Sequence, residues 1–179
     1  DLIVVAVISK GIEWASIELS KVLKNHAPIL ILTKGLAINN NNYEVFAHKM
    51  ERLLKKNGIK ETNISAAGGP CLAKGLANKA HTAVVFANTD IKVAQQISKL
   101  VSTNYYHVTT SNDVVGVETC AAIKNIFSMV VGASQGLCDS ITSKEKNYLN
   151  TAAALIQESI YEMIIFVEKM KGRRETVMG

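Results

Sequence analysis

A single lysine, Lys124, lies in the middle of an apolar stretch that predicts a long helix. Between Val114 and Leu137, only Glu118 and Lys124 carry a full charge. A helix that is apolar on every side is usually buried, and burial favours the neutral amine of lysine, which can exchange a proton near neutral pH. The position predicts a proton-transfer lysine, with Asn125 beside it to orient a substrate oxygen. The alternative is a lysine whose ammonium reaches solvent at a domain edge.

Two other short segments carry residues that suit a bound anion or carbonyl group. Lys34 and Gly35 follow the apolar run ILILT, and ligands of open parallel sheets bind beyond the carboxyl ends of strands. Gly68 and Gly69 allow the backbone to approach a ligand closely. Pro70 is suited to begin a helix whose free N–H groups hold an anion. Both segments also have an ordinary interpretation. Lys34 could be a surface lysine in a loop, and Gly68–Pro70 could be a common turn.

Composition limits the classes of function. The chain has 179 residues and a net charge of +5, which suits an anionic partner. The basic residues are scattered without interleaved aromatics, so we expect no nucleic-acid partner. The cysteines, Cys71, Cys120 and Cys138, form no C-x-x-C pair, and no H-E-x-x-H spacing occurs. These patterns predict a reducing compartment and no bound metal. We expect neither a membrane span nor a signal peptide.

The secondary-structure elements that must position these residues change along the chain from alternating strands and helices to helices alone. Apolar β-branched runs alternate with amphipathic stretches up to about residue 112, which is typical of a parallel α/β sheet. Within this part we predict a polar loop at Asn39–Asn42 and an amphipathic helix from Tyr43 to Gly58. Two long helical patterns without strands follow, and Thr142 and Glu145 could cap the second. The sequence therefore predicts an α/β part followed by an all-helical part.

Taken in order, these motifs resemble one known family. The segments that carry the resemblance are LTKGL, GGPCLAKGLA, HVTTSNDVVGVETCAAIKNI, NTAAALIQESIYEM and ETVMG. The most specific element is D-x-x-G-V-E followed by five residues and K-N, placed after an α/β part with a T-K-G strand end. From residue 1 to residue 179, the chain resembles the NAD(P)-dependent glycerol-3-phosphate dehydrogenases.

The resemblance implies a fold and an activity. Residues 1–112 would be the C-terminal part of a Rossmann-type NAD(P)-binding domain with a parallel sheet, and residues 113–179 the start of an all-α substrate-binding domain. The activity would be the reversible reduction of dihydroxyacetone phosphate to sn-glycerol 3-phosphate with NADH or NADPH, which supplies glycerophospholipid synthesis. The resemblance also implies a cytoplasmic homodimer.

Residue roles follow from the same match. Lys124 corresponds to the family's proton-transfer lysine. The positions that correspond to substrate-binding residues are Lys34, Gly69, Cys71 and Asn125. Those that correspond to cofactor-binding residues are Ser9, Lys34 and Ala73.

Some residues depart from the family pattern. Cys71 stands where Ser or Thr is usual, and Gln157 and Glu158 replace a Thr-Arg pair. The G-x-G-x-x-G fingerprint would lie before Asp1, and an Asp and Arg-Asn substrate clamp after Gly179. We therefore expect a piece of a longer chain that is inactive alone. Two alternatives are a 6-phosphogluconate or β-hydroxyacid type of dehydrogenase, and an inactive binding protein descended from the family.

Overall fold

The computed structural model describes residues 2–23, 27–141 and 149–179, and it describes their side chains except those of 138–141. A short 3-10 helix, Ser9–Gly11, precedes the first α-helix. The capping box expected at Thr142 and Glu145 lies outside the described residues. In chain order the strands and α-helices are β1 Ile3–Val5, α1 Ile12–Val22, β2 Ile29–Ile31, β3 Leu36–Asn39, β4 Asn42–Val45, α2 Phe46–Lys56, β5 Ile64–Gly68, α3 Ala73–Ala77, β6 Thr82–Ala87, α4 Ile91–Val101, β7 Tyr106–Ser111, α5 Val114–Ile141, α6 Leu149–Lys169 and α7 Glu175–Met178.

The main sheet has the strand order β1-β2-β5-β6-β7. Strands β1, β2 and β5 are parallel, and so are β6 and β7, but β5 and β6 are antiparallel. The predicted parallel sheet is confirmed as a mostly parallel one, and this pairing is the exception among the described strands of the main sheet. A helix that returns along the five-residue β5 must span about 16 Å, whereas the five residues of α3 cover only about 8 Å. The chain therefore turns back beside β5 and runs the other way.

Helices cover both faces of the main sheet, as the alternation of strand and helix patterns predicted. On one face, α1, α2 and the start of α5 pack against β1, β2 and β5 through Ile12, Met50 and Val117. On the other face, Ile97 of α4 packs against Val84, Phe86 and Leu30. Successive strand side chains point to opposite faces, so both faces are apolar. The helical part after β7 confirms the predicted order of an α/β part and a helical part.

The predicted polar loop at Asn39–Asn42 is the tip of a β-hairpin. Strands β3 and β4 pair antiparallel from Leu36–Val45 to Asn39–Asn42. The two turn residues, Asn40 and Asn41, have φ of 49° and 62°. Asparagine tolerates this left-handed conformation, and two such residues form the turn that matches the twist of a hairpin. Helix α2 therefore begins later than predicted, at Phe46, because Tyr43–Val45 belong to β4.

Helix α5 is buried over its first half only. Val117 and Ala121 are buried against the sheet, whereas Met129 and Leu137 are largely exposed. The expectation that this helix is buried all round is therefore wrong for its second half, which extends beyond the sheet and has α6 as its neighbour.

The segment Val114–Leu137 of α5 is, by length and composition, long and apolar enough to cross a membrane. This corrects the expectation that no such run exists. Because its first half packs on the sheet and buries the carboxyl group of Glu118, we interpret α5 as a core helix, which passes the same test.

Candidate functional site

The centre of the site is the contact between the carboxyl end of β5 and helix α5. A Cβ atom at Gly68 would lie 2.7 Å from Cγ1 of Val117, which is too close for any side chain. Glycine therefore allows α5 to lie directly on the strand end. Lys124 lies seven residues after Val117, which is two helical turns and about 10 Å further along α5.

A cavity of about 780 Å³ opens beside this contact. Its volume is in the range of small-molecule sites. The sheet contributes the ends of β5 and β7, α5 contributes one wall, and the turn between α6 and α7 contributes another. The cavity-lining residues with polar or charged side chains are Thr109, Thr110, Ser111, Cys120, Lys124, Arg173, Glu175 and Thr176.

Lys34, three residues after the end of β2, reaches the carboxyl end of β5. Its ammonium donates a hydrogen bond to the carbonyl oxygen of Gly69 at 3.0 Å. Gly69 has φ of +107°, and a Cβ atom there would lie 3.0 Å from Cα of Val84, so this turn excludes a side chain. Lys34 therefore contacts the glycine turn directly, whereas Lys124 lines the cavity that Gly68 and Gly69 also line.

The other predicted site residues lie outside this cavity in the part of the chain that the structure describes. Asn125 is exposed on α5. Cys71 packs against the apolar cluster around Phe86 on the opposite face of the sheet. Ser9 lines a separate recess beside Lys10, and Ala73 is exposed at the start of α3. The proposed roles of these four residues, like those of Lys34, Gly69 and Lys124, remain predictions.

Asp113 joins the start of α5 to the turn between α6 and α7, a role that the sequence analysis missed. One carboxylate oxygen accepts a hydrogen bond from the amide of Gly116 at 2.9 Å. The other accepts from the amide of Arg173 at 2.8 Å and from the hydroxyl of Thr176 at 2.6 Å. Burial alone would raise the pKa of Asp113, but these three donors and the Arg173 guanidinium together lower it. The sequence did contain a signal for part of this role, because aspartate directly before a helix is a preferred N-cap residue.

Two glycines allow the α6–α7 turn to approach α5. A Cβ atom at Gly172 would lie 2.7 Å from Cα of Gly116, so the two backbones are in direct contact. The side chain of Arg173 donates a hydrogen bond to Asn112. The pairing of Gly116 with Gly172, together with the hydrogen bonds to Asp113, fixes the far wall of the cavity against the helix that carries Lys124.

Glu118 is buried on the side of α5 that contacts α2. It is 4% exposed, and its Oε2 atom accepts a hydrogen bond from the amide of Ala47 at 2.9 Å. Burial raises the pKa of this carboxyl to about 8, although the amides of Ala47 and Phe46 oppose the shift. Helical spacing alone did not reveal this partner, because Ala47 is 71 residues away in the chain.

The arrangement suits chemistry at an oxygen that gains negative charge. Lys124 and Arg173 line the cavity, and Lys34 lies at its glycine turn. Ammonium and guanidinium groups stabilise developing oxyanions and bind phosphate oxygens. An ammonium group can also donate a proton to such an oxygen. Glu175 adds a carboxylate to the same lining. The basic groups suit an anionic substrate with a reacting carbonyl or hydroxyl group.

Comparison with known proteins finds relatives along the chain. The family model for the N-terminus of NAD-dependent glycerol-3-phosphate dehydrogenase matches residues 1–94, and the model for its C-terminus matches residues 113–179. A glycerol-3-phosphate dehydrogenase (NAD(P)+) of Clostridium tetani is 29% identical over 99% of this chain and 46% of its own length. One from Mycobacterium bovis is 31% identical over 100% of this chain and 48% of its own length.

Solved structures share the fold. The crystal structure of glycerol-3-phosphate dehydrogenase from Coxiella burnetii has a TM-score of 0.75 and 26% identity, and the match covers 99% of this chain and 49% of that one. The yeast glycerol-3-phosphate dehydrogenase matches in fold, with a TM-score of 0.80 at 20% identity over 98% of this chain and 49% of that one. These matches confirm the family resemblance, and the chain spans about half the length of its relatives.

Proposed function

The chain belongs to the NAD-dependent glycerol-3-phosphate dehydrogenase family, and on this premise we propose that the protein containing it is an NAD(P)-dependent oxidoreductase. It reduces dihydroxyacetone phosphate to sn-glycerol 3-phosphate, reversibly. The observation that carries the proposal is the cavity of about 780 Å³ that Lys124 and Gly69 both line, with Lys34 bonded to the carbonyl oxygen of Gly69. The names of the Clostridium and Mycobacterium relatives support the same reaction.

Lys124 is proposed as the proton-transfer group. Reduction of the substrate carbonyl places negative charge on its oxygen, and the ammonium of Lys124 stabilises that charge and then donates a proton to the oxygen. In the reverse direction, the neutral amine accepts the hydroxyl proton. The position of Lys124 in the cavity wall supports this role.

The residues present fit a nicotinamide cofactor. Gly68 and Gly69 line the cavity and carry no side chain, so the cavity wall at this turn is backbone. The directions in which side chains would point are filled by Val117 and Val84. Lys34 lies beside this turn. We propose that these residues hold the cofactor and the substrate, together with the more distant sequence matches Ser9, Ala73, Cys71 and Asn125. When bound, NAD or NADP supplies or accepts the hydride.

We also propose a domain division at residues 1–112 and 113–179, which is supported by the start of α5 at Val114 and by the two separate family matches. A homodimer through the helical part is supported by the exposed apolar residues Met129, Ile156 and Ile160. A cytoplasmic location and a role in glycerophospholipid synthesis are proposed from the family alone.

The test is oxidation of NADH and NADPH with dihydroxyacetone phosphate by the native gene product that contains this chain. Lys124→Met should lower kcat by about 10²- to 10⁴-fold, the usual contribution of general acid–base catalysis. Lys99→Met is the matched control, because Lys99 is an exposed lysine on α4, on the other side of the sheet. Its turnover should equal that of the wild type, and circular dichroism checks the folding of both variants.

Two outcomes would overturn parts of this proposal. A folded Lys124→Met variant that keeps its rate would mean that Lys124 only reaches solvent at the cavity edge. A wild-type protein that binds the cofactor but does not turn over would favour an inactive binding protein.

A further inference from the structure

The proposed reaction does not use the buried carboxyl group of Glu118. Glu118 is 4% exposed and does not line the cavity. Its contact with the amide of Ala47, at 2.9 Å, joins α5 to a helix that lies 71 residues earlier in the chain. A buried carboxyl group is unfavourable unless its hydrogen bonds are specific, so this contact requires an explanation.

Glu118 acts as a cap for the first turn of α2. The first N–H groups of a helix have no partner within the helix. The residue at the usual capping position is Val45, which has no side-chain oxygen and makes no capping hydrogen bond. The acceptor comes instead from α5, through Oε2 of Glu118. The position of α5 and the start of α2 are therefore fixed relative to each other.

The start of α2 in turn contacts the segment that carries Lys34. Phe46, the first residue of α2, is 2% exposed, and its Cε2 atom lies 3.1 Å from where a Cβ atom would stand on Gly35. Gly35 has φ of +134° and directly follows Lys34. Phe46 thus packs against the backbone next to Lys34, whose ammonium is bonded to the carbonyl of Gly69.

The other lysine lies on the same helix as Glu118. Lys124 is six residues further along α5, or about 9 Å along the helix axis. Glu118 therefore belongs to the helix that carries Lys124, and its side chain contacts the helix start that packs beside Lys34. A displacement of about 1 Å at a catalytic group can lower a rate by about 100-fold, so such a contact affects catalysis.

We propose that Glu118 is a positioning residue that fixes the segment of Lys34 relative to the helix of Lys124. It acts through the amide of Ala47 and the ring of Phe46 and does not touch the substrate. The kinetic consequence rests on the proposed function, whereas the structural contact can be tested without it.

Three variants of the native gene product test this role. Glu118→Met keeps the volume of the side chain but removes the oxygen acceptor. Glu118→Gln keeps an acceptor for the amide of Ala47. Thr119→Val is the matched control, because Thr119 is fully buried on the same helix and its hydroxyl has no partner among the described residues.

We expect Glu118→Met to lower kcat and kcat/KM together by about tenfold or more, since the lysine that it positions acts in the transition state. Glu118→Gln should restore kcat to within about threefold of wild type, and Thr119→Val should leave kcat unchanged. A purely structural role would change the folded fraction and leave kcat per folded molecule unaltered. If Glu118→Met does not fold, Glu118→Leu, which also lacks the oxygen acceptor and leaves no large cavity, replaces it.

Amide hydrogen exchange at Ala47 tests the contact without any activity. The amide should lose protection in Glu118→Met and keep it in the Gln and Thr119 variants. Unchanged protection in Glu118→Met, or a loss of kcat in Glu118→Gln as large as in Glu118→Met, would overturn the proposal. A wild type without turnover would overturn the proposed function, while the exchange result would still decide whether Glu118 holds α2.

Discussion

At the scale of single residues, Gly68 sets how closely α5 approaches the sheet. A Cβ atom there would stand 2.7 Å from a methyl group of Val117, and both positions belong to packed elements. Overpacking of this kind costs about 1 to 3 kcal/mol because neighbouring atoms must shift. The same residue lines the cavity, so both the stability of the fold and the geometry of the site depend on the absence of a side chain at this position.

We therefore expect Gly68→Ala to lower the free energy of unfolding by about 1 to 3 kcal/mol. Gly132→Ala on α5 is the control, since a Cβ atom there meets nothing within 4 Å. The control should raise stability by up to about 1 kcal/mol, because alanine is the better helix former. Urea denaturation of the three proteins measures both changes, and equal effects of the two substitutions would contradict the packing argument.

The buried carboxyl group of Glu118 should make stability depend on pH. Its pKa of about 8 in the folded protein, against an ordinary value of 4.5, means that the folded state keeps a proton that the unfolded state has lost. Between about pH 4.5 and pH 8 the free energy of unfolding should therefore fall as pH rises, by up to about 1.4 kcal/mol per pH unit.

Glu118→Gln removes this titration. Relative to wild type, its free energy of unfolding should increase steadily from pH 5 to pH 8 and level off above pH 8. Urea denaturation at several pH values measures the difference. Parallel curves for the two proteins would show that the carboxyl group does not keep its proton in the folded state.

At the scale of elements, the start of α5 is held by three contacts. Asp113 fixes its start to the α6–α7 turn, Val117 packs on Gly68, and Glu118 bonds to the start of α2. These contacts all lie within the first turns of a 28-residue helix. The position of Lys124 therefore depends on contacts that precede it in the chain, together with the packing of α5 against α6.

Removal of the contact at Asp113 should loosen the α6–α7 turn from α5. Asp113→Ala should cost about 2 to 4 kcal/mol, because a helix cap is lost and donors from Arg173 and Thr176 are left without their acceptor. Asp90→Ala is the control, since Asp90 caps α4 through the amide of Lys92 alone. It should cost about 1 kcal/mol. Thermal denaturation compares the two, and equal losses would mean that the turn is held by other contacts.

At the scale of the whole molecule, the helical part presents an apolar surface. Met129 on α5 and Leu149, Ile156 and Ile160 on α6 are exposed. Large apolar patches on soluble proteins usually mark an interface. Burial of this surface against a second copy agrees with the proposed homodimer.

We expect the 179-residue chain to self-associate through this surface. In size-exclusion chromatography it should elute above its mass of 19.4 kDa, and the double variant Met129→Lys and Ile160→Lys should elute as a monomer, because buried charges without partners are unfavourable. Val4→Lys and Leu100→Lys form the control pair, since both residues are exposed outside the helical part. A monomeric wild type, or a control pair that also dissociates the assembly, would contradict this prediction.

Apart from the β3–β4 hairpin, the amino-acid sequence alone determined the order of the strands and helices, the change from an α/β part to helices and the family. These follow from local patterns: apolar runs for buried strands, helical periodicity, and residues such as the T-K-G and K-N motifs that stand at fixed spacing. The sequence also indicated Lys34, Gly69 and Lys124 as members of one site. Lys34 bonds to Gly69, and Lys124 lines the cavity that Gly69 also lines; their roles stay predictions.

Only the tertiary structure decided what depends on contacts between distant segments. The reversal of β6 depended on how far α3 can reach, and the exposure of the second half of α5 depended on where the sheet ends. The packing of Cys71 on the opposite face of the sheet, the hydrogen bonds to Asp113 and the contact of Glu118 with Ala47 join residues that no local pattern relates. Burial and hydrogen-bond partners are properties of the folded chain, because they are set by elements that meet only after folding.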